Sequence, residues 1–180
     1  MASKRKLLRQ TIVKLLKGNT DVGDNVFANR PTPLWECELP AICVYIKTEP
    51  TEEKVTAPKV YSRNASVVVD ILALANDNCD DILDDIQEQV EEILFSNRYL
   101  LDPDDKVERL DAEIKLVSTD MDLYAEGDKI AGSNRITFTA SYDTEAPEQK
   151  DSGLDEFKTG DAQYEINESA EAEDRFTIPQ

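Results

Sequence analysis

The sequence predicts an α+β domain: an antiparallel or mixed four-stranded sheet covered by two helices, in the order α-β-β-α-β-β, followed by an acidic C-terminal extension. Three observations carry this. Two stretches repeat apolar residues at helical spacing, and four others are β-branched or alternate in polarity. The strands come as pairs on either side of the second helix, which favours hairpins over singly alternating βα units. After Tyr142 the composition turns acidic and poor in apolar residues. The domain is therefore placed at residues 1–143 and the extension, flexible or docking on assembly, at 144–180.

In the first element Leu7, Leu8, Ile12, Leu15 and Leu16 form an apolar face among basic residues, and Gly18-Asn19 supply a stop. Residues 19–39 read as a loop with a short strand at Asn25–Ala28 and two large anchors, Phe27 and Trp35. The first full strand is Ala41–Ile46, led by Pro40, whose missing donor costs little at a strand's first position. Residues 48–58, TEPTEEKVTAP, are polar and read as an extended hairpin excursion. Ser66–Ala75 is apolar on both faces except at Asp70, as in a central strand. Asn78 is a candidate cap for the second helix, with Ile82, Ile86, Val90 and Ile93, joined by Leu83 and Leu94, as its buried stripe. A turn at Leu101–Asp105 leads to a half-buried strand, Leu110–Val117. Tyr124–Gly132 reads as a connection, and Ile136–Tyr142 as the last strand.

Composition narrows the chemistry. The chain has no histidine, so the usual nucleophilic triads lack their base and most transition-metal sites their commonest ligand. Cys37, Cys43 and Cys79 fit neither a disulfide framework nor a zinc site. Phosphate-binding glycine loops, the nucleophile elbow and C-x-x-C are absent. No enzyme activity, cofactor or metal is expected. A net charge of -18 argues against general nucleic-acid binding. No run of eighteen apolar residues suggests a membrane span, and the basic start, without a long apolar stretch, gives no signal peptide.

Charge is unevenly placed: residues 1–17 are basic with no acid, whereas the last thirty-seven are acidic. Such polarity suits contacts between copies of the chain. Asp84, Asp85, Glu88, Glu91 and Glu92 form an acidic helix face whose plainest role is solvation. Asp70 fits a strand edge, a salt bridge or a subunit contact better than a catalytic acid. Phe27 and Trp35 either plug the sheet or meet a partner, since aromatics are favoured in desolvated contacts. In the extension, Phe157, Tyr164, Ile166, Phe176 and Ile178 are isolated apolar footholds.

Val26-Phe27-Ala28-Asn29-Arg30-Pro31, followed by Glu38-Leu39-Pro40-Ala41-Ile42-Cys43-Val44-Tyr45, resembles the tail terminator family of long-tailed bacteriophages, the family of the lambda minor tail protein U. Tyr124-Ala125-Glu126-Gly127-Asp128 and Arg135–Tyr142 are similar to its closing strands, so the resemblance spans roughly residues 5–143. The extension from residue 144 departs from the short lambda form. The resemblance implies a virion protein at the head-proximal end of the tail, assembled in the host cytoplasm. It implies a ring, usually a hexamer, that caps the tail tube protein, ends its polymerisation and offers a joining surface to the head–neck connector. DNA would pass through the lumen without sequence-specific binding. Phe27, Arg30, Pro31 and Trp35 would shape the loop that meets the next subunit, and Glu49, Glu52 and Glu53 would lie on the excursion toward tube or connector. Asp84, Asp85, Glu88 and Glu92 would face the lumen. A head-side tail-completion or neck protein, and a small acidic cytoplasmic adaptor, are the competing readings.

Overall fold

A computed structural model describes residues 3–29, 34–100, 112–126, 128–146, 159–165 and 171–177. It contains helices α1 (Lys4–Leu16) and α2 (Cys79–Ser96). Its strands are β1 (Val26–Ala28), β2 (Ala41–Thr48), β3 (Thr51–Thr56), β4 (Lys59–Ala75), β5 (Glu113–Glu126), β6 (Lys129–Glu145), β7 (Thr159–Glu165) and β8 (Glu171–Thr177). The chain divides into two units, Met1–Ala146 and Pro147–Gln180. In the second, β7 and β8 pair as an antiparallel hairpin.

The first unit is α+β with one open sheet, ordered β1-β2-β4-β6-β5, and β3 also pairs with β4. The sheet has six strands, not the four expected. One addition is β1, parallel to β2 from Val26↔Ile42 to Ala28↔Val44. The other is β3, the outgoing limb of the 48–58 excursion. It pairs with Lys59–Arg63, so the central strand starts at Lys59 rather than Ser66. β1 is the short strand expected at Asn25–Ala28, which the four-strand count left out of the sheet. β3 is exposed throughout, so it lacks the apolar alternation of a half-buried strand.

Strands β2 and β3 lie end to end along one edge of β4, broken at Glu49-Pro50. The other edge of β4 pairs with β6 without interruption from Val60↔Glu145 to Ala75↔Ile130. Successive side chains of a strand point to opposite faces. Val67, Val69 and Ile71 of β4, Ile42, Val44 and Ile46 of β2, and Ile136, Phe138 and Ala140 of β6 thus join one buried core. Against this face α1 packs on β1 and β2, while α2 packs on β4, β6 and β5.

The buried stripe of α2 is Cys79, Leu83, Ile86, Val90 and Leu94. Its 4-3-4-4 spacing keeps one helical face. Ile82, one position out of phase, is exposed, and Ile93 is only partly buried. Asn78 precedes the helix in the left-handed region, at φ 56°, and its side chain makes no capping bond. The cap role is therefore corrected: an N-cap is normally extended, and only there does its side chain meet the first free N–H groups.

The last hairpin is longer than expected. β5 runs to Glu126 and β6 starts at Lys129, so Tyr124–Gly132 is mostly strand, and a bulge falls between Leu116 and Ser118. Within β6, Gly132 pairs with Leu123. A Cβ there would sit 2.7 Å from Leu123 Cδ2 and Leu83 Cδ1, so this glycine admits close packing of helix and strand. The turn expected at Leu101–Asp105, and Leu110, lie outside the described residues.

Phe138 is fully buried and meets the half-exposed Phe95 ring edge-on at 6.4 Å. Phe138→Ala is expected to cost about 3–5 kcal/mol in urea unfolding. Phe95→Ala should cost clearly less, and equal losses would contradict this assignment of the core.

Candidate functional site

Two clusters of charge tie the unit together. At the break between β2 and β3, Glu49 turns inward and its side chain is only 9% exposed. It accepts a hydrogen bond from the Tyr142 hydroxyl and lies 3.5 Å from Arg5 Nη1 and 3.6 Å from Arg63 Nη1. Arg5 Nη2 also donates to the Ile46 carbonyl at 2.9 Å. The basic start of α1 is thus fastened to the sheet through one carboxylate. Burial, and then the bond to Glu49, raise the Tyr142 hydroxyl above its ordinary pKa.

The second cluster is on the sheet face away from the helices. The Tyr45 hydroxyl donates to Asp70 Oδ2 at 2.9 Å, and Arg135 donates to both Asp70 oxygens at 2.8 and 3.3 Å. Register explains this: Cys43, Asp70, Arg135 and Asp120 form one row across β2, β4, β6 and β5. The hydrogen bonds and charge of Asp70 hold the Arg135 guanidinium protonated even more firmly than usual. Burial and the Asp70 bond raise the Tyr45 hydroxyl. Asp70 therefore makes a cross-strand salt bridge, one of the roles its isolation in an apolar strand suggested.

Phe27 lies in β1, at the edge of the sheet, and is partly buried. Trp35 opens a single 3-10 turn, Glu36–Glu38, and its ring is 73% exposed. Its backbone N–H donates to Glu38 Oε2 at 2.8 Å, and Glu36 pairs with Lys129 at the start of β6. Glu52 and Glu53 are exposed on β3, where Glu53 pairs with Lys59 at 3.0 Å. Asp84, Asp85, Glu88 and Glu92 all lie on the exposed side of α2. Arg30 and Pro31 fall outside the described residues. Those among the described residues lie on separate elements. Glu49 belongs to the clamp on α1, and Glu52 and Glu53 to an exposed limb.

The more concentrated surface was not anticipated. Ten large apolar side chains are prominently exposed among the described residues, and eight of them lie on β5 or on α2 and the residues just after it. On β5 they are Leu116, Val117, Met121, Leu123 and Tyr124; beside it are Ile82, Phe95 and Tyr99. β5 ends the sheet order, pairing only with β6 among the described residues. Such an edge offers unpaired backbone groups as well as apolar area. Among the described residues no group of three or more Cys, Asp or Glu is placed to hold a metal ion, and no helix is long and apolar enough to cross a membrane.

Residues 3–118 match the sequence profile of the family described as phage minor tail protein U. The chain belongs to that family, and so to the structural components of the phage tail. Among curated proteins none matches the sequence.

Glu49→Ala is expected to destabilise by about 1–3 kcal/mol, because Tyr142 and two arginines lose their acceptor. Glu52→Ala and Glu53→Ala should stay within about 0.5 kcal/mol. Equal effects in urea unfolding would contradict the clamp.

The raised tyrosines set a second expectation. The folded state keeps phenolic protons that the unfolded state releases above about pH 10. Their contribution is therefore complete below that pH and is lost as pH rises through the folded values. Between about pH 9 and 11, Tyr142→Phe should lose stability less steeply than wild type; parallel declines would contradict it.

Proposed function

We propose that this protein forms a ring that caps the phage tail tube, ends its polymerisation and offers the joining surface for the head–neck connector. The observation that carries this reading is the β5 edge: a 14-residue strand that pairs with β6 on one side, has no strand on the other among the described residues, and exposes five apolar side chains, in a chain of the minor tail protein U family. A surface of that kind is costly for a free monomer and useful to a subunit that closes on its neighbours. The work needs no covalent step. Capping requires only that the ring bind the last tube layer more favourably than another layer would.

The β3 limb and the first part of β4 form an exposed arm beyond the core, suited to reach the tube or connector. It presents charges of both signs, Glu52 and Glu53 beside Lys54 and Lys59. Trp35, exposed beside the Glu36–Lys129 pair, is the aromatic anchor for a further partner contact, to which the resemblance adds Arg30 and Pro31. DNA passes through the ring at ejection without sequence-specific contacts.

Imaging tails from infections that lack this protein tests the reading. Overlong or headless tails are expected, and complementation should restore normal length. Tails of normal length joined to heads would contradict it.

A further inference from the structure

We propose that the acidic α2 side and β5 edge of one copy are covered by the basic α1 side and β1 edge of the next, head to tail. This deepens the ring reading and rests on it. The two surfaces lie at opposite ends of the sheet: α1 packs on β1 and β2, α2 on β4, β6 and β5. α1 carries five Lys or Arg and no acid, whereas α2 carries seven Asp or Glu and no Lys or Arg. Lys6, Lys14 and Lys17 lie on one exposed stripe at or just after α1, facing the same side as Gln10. Asp84, Asp85, Glu88 and Glu92 are exposed on α2.

Charge selects the partner and the symmetry. The β5 edge needs a cover for its apolar side chains, and a second β5 edge would bring two acidic helices together, as well as Asp120 and Asp122 of each copy. Like-charge juxtaposition across an interface is strongly unfavourable. A two-fold pairing of this edge is thereby disfavoured, and so is a two-fold pairing of α1 with α1. The opposite pairing, α1 against α2, is favourable and heterologous, and a heterologous contact repeats until it closes into a ring or runs on as a filament. Phe27, partly buried on β1, supplies apolar area near the basic end. In this arrangement the α2 acids face the neighbour rather than an open lumen.

The test is a charge swap in the full chain, read by sedimentation over a range of concentrations, with and without tail tubes. Lys6→Glu with Lys14→Glu, or Asp84→Lys with Glu88→Lys, should each weaken assembly by about a hundredfold or more. Mixing the two variants, or combining all four changes in one chain, should restore it. That rescue separates a lost contact from misfolding, which circular dichroism of each variant also reports. If wild type assembles and the swaps leave assembly unchanged, this interface is overturned while the ring reading stands. The interface is equally overturned if assembly is lost only when Glu165, Glu168 and Glu171 are neutralised, which would put the acidic C-terminal unit on α1. A wild type that stays monomeric under all conditions overturns both.

Discussion

Sixteen successive pairings hold β4 against β6, from Val60–Glu145 to Ala75–Ile130, and the placement of every other element follows from that ladder. Side chains alternate across a strand, so this register alone decides that Val67, Val69, Ile136 and Phe138 point to the helices. It also decides that Asp70 and Arg135 point away and meet. A slip of one residue would exchange the two sets, burying the ion pair and exposing the core, so one register is strongly preferred. The remaining strands attach to this pair: β2 and β3 along the free edge of β4, β5 along that of β6.

The ladder also separates two surfaces of opposite character. With β4 and β6 central, α1 is confined to the β1–β2 end and α2 to the β5 end. A basic helix and an acidic helix thus share one face without neutralising each other. Contact between them is limited, and Gln89 bridges to Asp21 beyond the end of α1 rather than to a lysine. The Glu49 clamp serves the same separation, because it fixes the first turn of α1 to the β2–β3 break and Tyr142. The proposed head-to-tail contact rests on this polarity.

Much of this was legible in the sequence where burial imposes a period. The two helices, β2, β6 and the middle of β4 announced themselves through apolar spacing, and the family through its ordered motifs around Phe27 and Pro40. What was missed lacks such a period. β3 is exposed along its whole length, and β1, though expected as a short strand, is too short to show that it joins the sheet. In the far half of β5, Met121 and Leu123 lie on the α2 side and Tyr124 on the other, all exposed, and the expected strand stopped at Val117. Ile82 was misplaced because adjacent isoleucine and leucine positions make the phase of α2 ambiguous, and the close approach at Gly132 selects Leu83. The Glu49 clamp had no sequence signal at all: its partners are 44, 14 and 93 residues away. The Asp70–Arg135 pair had a partial one, opposite charges at isolated positions of two apolar strands.

The central claim is that the outer edge of β5 and the outer side of α1 become buried together when copies assemble. Hydrogen–deuterium exchange of the full-length protein, compared between monomer and assembled ring, tests it most directly. β5 and α1 are expected to gain protection in the ring, while the β4–β6 ladder, already paired, changes little. Protection gained elsewhere, with β5 exchanging in the ring as fast as in the monomer, would contradict it.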